Sequence, residues 1–110
     1  REQDGLAMSS RNVYLSPEER QSALCLSRSL KKAKELFDQG ERDAGRILDE
    51  ITGYIEGVPS TRIDYARICS TTTMKDIDRL EDESVMALAV FVGSTRLIDN
   101  YVFGEELNIE

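Results

Sequence analysis

The stretch that decides the fold is Val85-Met86-Ala87-Leu88-Ala89-Val90-Phe91-Val92, which is followed directly by Gly93-Ser94. Every residue of 85–92 is apolar, a pattern typical of a strand that is covered on both faces, so we place it in the middle of a sheet. Glycine followed by serine matches a tight hairpin turn. The sequence therefore predicts that residues 95–103 return antiparallel beside this central strand.

The preceding region supplies another strand and a crossing segment. Residues 62–70 mix β-forming residues with charged ones, which predicts a strand with a partly exposed face. Residues 71–84 cross from that strand to the central one and leave room for a short helical turn at residues 75–80. We therefore expect three strands that pair mainly antiparallel.

Two amphipathic helices are predicted before the sheet. The first begins at Ser16-Pro17-Glu18-Glu19, where serine caps the helix, proline fits its first turn and Glu19 stands in capping-box register. Gly40 is its natural end. The second helix runs from about residue 43 to 56, with Gly57 and Pro59 ending it. The predicted buried stripes are Ala23, Leu26, Leu30, Ala33 and Phe37 in the first helix, and Ile47, Leu48, Ile51, Tyr54, Ile55 and Val58 in the second.

These elements predict an α+β fold in which a two-helix layer packs on a three-stranded, mainly antiparallel sheet. We divide the chain into a loop at residues 1–15, a helical layer at 16–58 and a sheet at 61–103. A length of 110 residues suits a single domain, and 40% hydrophobic with 32% charged residues is an ordinary globular composition. Apolar runs are far too short for a bilayer span, so we expect no membrane partner.

Charge and cysteine content exclude further classes of function. A formal net charge of −7 disfavours general binding to nucleic acid, so a nucleotide needs a local basic site. Cys25 and Cys69 lack the spacing of a metal site, and the chain has no histidine to complete one. We interpret both as reduced structural thiols, with a disulfide between them left open. A basic helix surface that includes Arg28, Lys31, Lys32 and Lys34 is interpreted as a solvated face rather than a phosphate site.

The chemistry-bearing motif lies near the start of the chain, in Asp4-Gly5-Leu6-Ala7-Met8-Ser9-Ser10-Arg11-Asn12. It combines a glycine, two adjacent hydroxyls and one guanidinium, a set suited to phosphate oxygens. Taken alone, Ser-Ser-Arg occurs in many loops, and Asn12 or Ser16 could simply cap the helix that follows. These residues by themselves therefore leave the phosphate site open.

A wider set of residues carries a family resemblance. The motif is followed by Tyr14-Leu15 and a capped helix, then by Ile63-Asp64-Tyr65, the apolar run 85–92, and Gly93-Ser94-Thr95-Arg96-Leu97-Ile98-Asp99-Asn100. In this order and spacing, the chain resembles the carboxy-terminal domain of the pantothenate synthetase family, ligases that join pantoate to β-alanine with ATP. The resemblance covers essentially the whole chain.

The resemblance implies the lid domain of a class I synthetase-like, adenylate-forming ligase. In such enzymes Met8, Ser9, Ser10 and Arg11 would form the ATP-binding loop, with Mg-ATP as the substrate that they contact. It implies no catalytic residue and no metal ligand within this chain. Gly5 is either a hinge of the loop or part of an ordinary tight turn. Asp4 could hold the loop by capping or by pairing with Arg11, and we leave it outside the site.

The same resemblance implies that an amino-terminal, Rossmann-like catalytic domain with a His-x-x-His motif is absent from this chain. Pantoate and β-alanine would be bound through that domain. We therefore expect this chain alone to be inactive and monomeric, and the full-length enzyme to be a cytoplasmic homodimer.

Two other readings stay open. The chain could be a standalone module that binds nucleotide phosphates, or a protein-interaction module whose exposed sheet face is apolar. Several polar residues are given no site role, because nothing in the sequence separates them from turn-stabilising groups and cross-strand pairs; they are Thr61, Arg67, Thr72, Arg96 and Asp99.

Overall fold

The computed structural model of this chain describes residues 1–81 and 83–105, and it has the predicted α+β architecture. A short 3-10 helix at Ser10–Tyr14 interrupts what was predicted to be a loop. The helical layer and the sheet follow in the predicted order. The elements are α1 Pro17–Ala23, α2 Cys25–Asp38, α3 Ala44–Glu56, β1 Thr61–Ser70, β2 Ser84–Val92 and β3 Thr95–Val102.

The sheet confirms the predicted central strand and its hairpin. Its order is β1-β2-β3, and β2 pairs antiparallel with both neighbours. Val92 pairs with Thr95, so Gly93 and Ser94 alone form the turn. Gly93 has a φ of +59°, a left-handed conformation that explains why glycine stands first in this turn.

The prediction that β2 is covered on both faces is confirmed only in part. Met86, Leu88, Val90 and Val92 are fully buried on the inner face, which the helices cover. On the outer face Ala89 is buried, but Ala87 and Phe91 are half-buried. There the cover comes from neighbouring side chains instead of a second layer; the Arg62 guanidinium lies 4.3 Å from the Phe91 ring centroid.

The first predicted helix begins as expected but is split in two. Ser16 accepts a hydrogen bond from the Glu19 amide at 3.1 Å, and the Glu19 carboxylate accepts one from the Ser16 amide at 2.9 Å, so the capping box is present. At Leu24 the amide bonds to the Gln21 carbonyl at 3.3 Å, a tighter turn that separates α1 from α2. Both helices contact β2, and α2 also contacts α3 and β3.

The other helix ends and faces agree with the sequence prediction. Gly40 ends α2 with a φ of +101°, and Asp43 caps α3 by accepting from the Arg46 amide at 3.1 Å. The predicted stripes face the core, with Phe37, Leu48, Tyr54 and Val58 half-buried at its edge. The basic surface of α2 is largely exposed, and its half-buried Lys34 pairs with Asp38.

The predicted helical turn at residues 75–80 is wrong. This segment runs extended, and its backbone pairs with β1 and with the α2–α3 connection: the Ile77 amide donates to the Ile68 carbonyl at 3.1 Å, and the Leu80 amide to the Arg42 carbonyl at 2.8 Å. Leu80 is buried in the core as a result. Tertiary pairing therefore replaces the local hydrogen bonds that a helical turn would need.

Both cysteines are free and buried, in agreement with their interpretation as structural thiols. Burial raises the pKa of the Cys25 thiol to about 11, so it stays protonated at neutral pH. Within the two described ranges, helix length and apolarity do not reach what a bilayer crossing requires.

Candidate functional site

The predicted phosphate loop is held in place by ion pairs at its amino-terminal end. The Arg1 guanidinium makes a bidentate contact with Asp99 of β3, at 2.7 and 2.9 Å, and also donates to the Gly5 carbonyl at 3.1 Å. Asp99 pairs with Leu88 across the sheet and so lies on the covered inner face, where its side chain is only 6% exposed. Arg1 therefore neutralises a nearly buried carboxylate and fastens the loop to β3.

A second set of ion pairs fastens the loop to α1. Arg20 donates to both carboxylate oxygens of Asp4, at 3.0 and 3.1 Å, and to Glu2 at 2.8 Å. Hydrogen bonds from Arg20 and Asn12 lower the pKa of Glu2. Desolvation raises the pKa of Asp4, but the bonds from Arg20 and the Leu6 amide outweigh it, so that pKa is lowered too. The capping role of Asp4 is thus observed at Leu6, whereas its ionic partner is Arg20 and not Arg11.

The Gly5 position is a tight turn. The Gly5 amide donates to the Glu2 carbonyl at 2.9 Å, and Gly5 is buried with a φ of +94°. Leu6, the next residue, is only 3% exposed and belongs to the hydrophobic core. The tight-turn reading of Gly5 therefore matches the geometry, and a hinge role stays a prediction.

Beyond the anchors, the predicted site residues lie on one exposed segment. Met8 is 75% exposed, and Ser9, Ser10 and Arg11 are also exposed. Ser9 caps the 3-10 helix by accepting from the Arg11 amide at 3.2 Å, so the helix begins in the middle of the motif. The structure thus brings all four residues together, with their side chains outside the core.

Asn12 links the exposed segment to the anchored one. Its side-chain Nδ2 donates to the Glu2 carboxylate and, at 3.0 Å, to the Ala7 carbonyl. Its Oδ1 is buried without a partner among the described residues. A helix cap at Asn12 was one of the alternatives left open by the sequence. Instead, its side chain closes the loop from inside, and Ser9 and Ser16 are the caps.

A groove of about 450 Å³ runs between the exposed segment and the β2–β3 hairpin. Arg11 and Tyr14 line one side, and Ser94, Thr95 and Arg96 line the other. Arg11 Nη1 donates to the Arg96 carbonyl at 3.1 Å, which joins the two sides. Arg96 had no predicted role, because it is far from Arg11 along the chain and only the three-dimensional structure places the two side by side.

The other residues without an assigned role have structural partners. Arg67 pairs with Asp76 at 2.7 Å, and Thr72 donates to Glu83 at 3.0 Å. Thr61 donates to the Ile55 and Val58 carbonyls, both at 2.8 Å, and so ties β1 to the end of α3. These contacts agree with a structural reading of each residue.

Comparison with known proteins relates this fold to one ligase family. A family model described as Pantoate-beta-alanine ligase matches residues 1–102. A pantothenate synthetase of Syntrophus aciditrophicus is 80% identical over 109 residues, which are 99% of this chain and 38% of that protein. The pantothenate synthetase of Geobacter sulfurreducens is 50% identical over 106 residues, 96% of this chain and 38% of that protein.

Solved structures agree on the fold. The pantothenate synthetase of Thermus thermophilus matches with a TM-score of 0.84 and 38% identity, over 92% of this chain and 36% of that one. A Francisella tularensis pantoate-beta-alanine ligase, complexed with β-γ ATP and β-alanine, matches with a TM-score of 0.58 and 19% identity, which is similarity of fold alone. The chain spans 38% of the length of the two curated relatives described above. Because the family model covers nearly all of its residues, this chain belongs to the pantoate–β-alanine ligase family.

Proposed function

We propose that this chain is the carboxy-terminal lid domain of a pantothenate synthetase, with Met8, Ser9, Ser10 and Arg11 as its contacts to ATP. One observation carries the proposal: these residues are exposed on a segment whose base is fixed by the Arg1–Asp99 and Arg20–Asp4 pairs. A fixed base with free side chains suits electrostatic stabilisation, because little reorganisation is needed when a charged ligand arrives.

The reaction proposed for the whole enzyme has two displacements. A pantoate carboxylate oxygen forms a bond to the α-phosphorus of Mg-ATP. At the same time the bond from that phosphorus to the oxygen that bridges the α- and β-phosphates breaks, which gives pantoyl adenylate and pyrophosphate. The β-alanine amine then forms a bond to the acyl carbon, the bond to AMP breaks, and the nitrogen loses a proton. The products are pantothenate, AMP and pyrophosphate.

Each residue of the segment has a proposed part in the first step. Arg11 neutralises charge on the departing pyrophosphate, and Ser9 and Ser10 donate hydroxyl or amide hydrogen bonds to its oxygens. Met8 packs its flexible thioether beside the adenosine. The contribution is alignment and charge stabilisation, with no covalent intermediate on the protein.

Binding by this chain alone is expected to be weak. Three charge-assisted hydrogen bonds contribute roughly 1.5 to 3 kcal/mol each, against an association cost of about 4 kcal/mol or more before the loop is ordered. Millimolar affinity at best follows. We propose that the substrate pockets for pantoate and β-alanine, and the homodimer contacts, belong to an amino-terminal domain, so this chain by itself is monomeric and has no ligase activity.

The activity part of the proposal is tested by a coupled assay with pantoate, β-alanine and Mg-ATP. We expect AMP formation equal to the no-protein blank. Turnover clearly above that blank would show that the chain carries its own substrate pockets, and would contradict the lid assignment.

The binding part is tested by an amide-resolved NMR titration with Mg-ATP. We expect millimolar binding with shifts centred on residues 6–12, lost in Arg11→Gln and retained in Arg28→Gln, which removes the same charge from the exposed face of α2. Micromolar affinity, or shifts centred on α2, would favour a standalone nucleotide module. A stable oligomer would favour the protein-interaction reading.

One specific observation bears on the protein-interaction reading. The outer sheet face carries an apolar row in which Tyr65 is 36% and Ile98 56% exposed, both paired with buried Ala89. Arg62 and Arg96 pair with Phe91 in the next row of the same face, so the apolar surface is narrow. The charged row limits the apolar surface, which weighs against a reading that needs a continuous exposed apolar face.

A cytoplasmic location is part of the same proposal. Its support is the pair of free, buried cysteines, since thiols persist in a reducing compartment.

A further inference from the structure

We propose that Arg96 is a second phosphate-binding residue, which acts with Arg11 on the same polyphosphate chain. The inference deepens the proposed function and rests on it. Its starting point is the groove of about 450 Å³, where the two arginines stand on opposite sides and are joined by the 3.1 Å bond from Arg11 Nη1 to the Arg96 carbonyl.

The Arg96 side chain is held in one orientation, but only part of its hydrogen-bond donors are occupied. Its Nε donates to Asp64 Oδ2 at 3.0 Å, and its guanidinium carbon lies 5.8 Å from the Tyr65 ring centroid. In the part of the chain that the structure describes, its Nη atoms donate no hydrogen bond. Because a guanidinium carries five N–H donors, those of Nη1 and Nη2 are available to an incoming anion while Nε stays on Asp64.

A β-bulge produces this orientation. The β1–β2 register shifts between Ile63 and Tyr65, so Asp64 lies between paired residues and has no pairing partner of its own. A bulge redirects the side chain of its extra residue. Asp64 is thereby brought to Arg96, which stands on the outer sheet face opposite Phe91.

The charge balance favours a ligand that is more negative than a single phosphate ester. The chain has a formal charge of −7, so an anion is repelled by most of its surface and needs more than one local cation. Among the described residues that line the groove, the charged ones are the two cations Arg11 and Arg96; the Asp64 carboxylate contacts Arg96 and the Glu19 carboxylate stands against Gly93, but neither lines the groove. A triphosphate or pyrophosphate group can contact both guanidiniums at once, whereas AMP offers only one phosphate.

The test is a titration of this chain with inorganic tripolyphosphate, followed through the arginine Nε–H and backbone signals by NMR. We expect saturable shifts at both Arg11 and Arg96. Arg96→Gln should weaken affinity by about five- to tenfold, because it removes charge-assisted hydrogen bonds. Arg67→Gln is the matched control: it also breaks an exposed arginine Nε–aspartate pair on the sheet, at 2.7 Å, but does not line the groove. It should change affinity by less than about twofold, as expected for a screened charge.

A second pair of variants tests for the opposite change, a gain in affinity for tripolyphosphate. Asp64→Asn removes the carboxylate that competes for Arg96, so tripolyphosphate should bind about two- to threefold more tightly, in line with the small energy of exposed ion pairs. Asp76→Asn, at the equivalent position beside Arg67, should have no such effect. A merely structural role for the Arg96–Asp64 pair predicts instead that both of its single variants weaken binding or leave it unchanged.

The outcomes separate this inference from the proposed function. If Arg11→Gln weakens binding while Arg96→Gln behaves like Arg67→Gln, the inference fails and the loop proposal stands. If Arg11→Gln is also silent, or the parent chain shows no saturable shift, both fail. An AMP titration that depends on Arg96 as strongly as the tripolyphosphate titration would contradict the two-cation contact. Arg96→Lys, which keeps the charge but loses the planar fork, should give an intermediate affinity and serves if Arg96→Gln does not fold.

Discussion

The amino-terminal segment contains two regions of opposite character. Residues 1–6 are tied down by Arg1–Asp99, by Arg20 with Asp4 and Glu2, and by the burial of Leu6. Residues 8–14 contribute little to the core, apart from the buried Asn12, and Met8, Val13 and Tyr14 are 75%, 80% and 74% exposed. We call these the anchored region and the presented region. The difference teaches that charged residues fix the backbone of the anchored region, whereas Met8, Ser9, Ser10 and Arg11 of the presented region stay exposed.

The largest effect is expected from breaking the anchored region at Arg1. Arg1→Ala leaves the Asp99 carboxylate, only 6% exposed, without its partner on the covered sheet face. Loss of one partner of a buried pair costs about 3 to 5 kcal/mol, and we expect about 2 to 3 kcal/mol here because Arg1 is 20% exposed. Urea unfolding followed by circular dichroism measures this change.

Asp99→Asn serves as the control for that prediction. It leaves a cation that can turn toward water, so its cost should be clearly smaller than that of Arg1→Ala. Equal costs would mean that the geometry of the bidentate contact, and not the uncompensated carboxylate, is what stabilises the anchored region.

The hairpin on the far side of the groove gives the next largest effect. Alanine at Gly93 would have to keep a φ of +59°, and its Cβ would lie 2.0 Å from Glu19 Oε2, whose carboxylate is held in the capping box of α1. We expect Gly93→Ala to lower the free energy of unfolding by about 1 to 2 kcal/mol. Gly53→Ala in α3 should raise it by about 0.5 to 1 kcal/mol, because an added Cβ there meets nothing within 4 Å. Thermal unfolding of both variants checks the opposite signs.

The sequence predicts those parts of the fold that depend on local chemistry. The capping box at Ser16, the stop at Gly40, the helix start near residue 43 and the Gly93-Ser94 turn each follow from residues a few positions apart. Hydrophobic periodicity likewise gives the helix faces and the central strand. In these cases the residues that interact and the sequence pattern that predicts the interaction lie within the same short stretch.

The features that escaped prediction depend on contacts between distant residues. The extended pairing of residues 75–80 with Ile68 and Arg42 replaced an expected helical turn. The helix breaks at Leu24 between α1, which contacts β2, and α2, which contacts α3 and β3 as well as β2. The bulge at Asp64, the Arg1–Asp99 pair and the approach of Arg96 to Arg11 also join positions far apart in sequence. Family resemblance found the presented residues, but only the fold reveals what anchors them.

The ion pairs of Arg20 with Glu2 and Asp4 predict a smaller, pH-dependent effect on the free energy of unfolding. The pKa values of Glu2 and Asp4 are lowered in the folded chain from ordinary values of 4.5 and 3.8, so the unfolded chain binds more protons as the pH falls through this range. Their stabilising contribution is therefore complete above about pH 4.5 and is lost as the pH falls through the lowered values.

Arg20→Gln should remove most of this dependence. The parent chain should lose more stability than the variant between about pH 6 and about pH 3, because the variant has already lost the partner that lowers both pKa values. Parallel urea titrations at the two pH values measure the difference. An identical loss in both chains would assign the acid sensitivity to other carboxylates.

The smallest effect on stability is expected in the presented region, and it is the most informative for the comparison. Arg11 is exposed, and its side chain makes one described hydrogen bond, to the Arg96 carbonyl, so Arg11→Gln should change the free energy of unfolding by less than about 0.5 kcal/mol. The same substitution is expected to abolish the nucleotide-induced shifts at residues 6–12. Comparison of Arg11→Gln with Arg1→Ala tests whether binding and stability depend on different charged residues of the amino-terminal segment. A cost for Arg11→Gln comparable with that of Arg1→Ala would show that Arg11 is itself an anchor, and the division between the two regions would not hold.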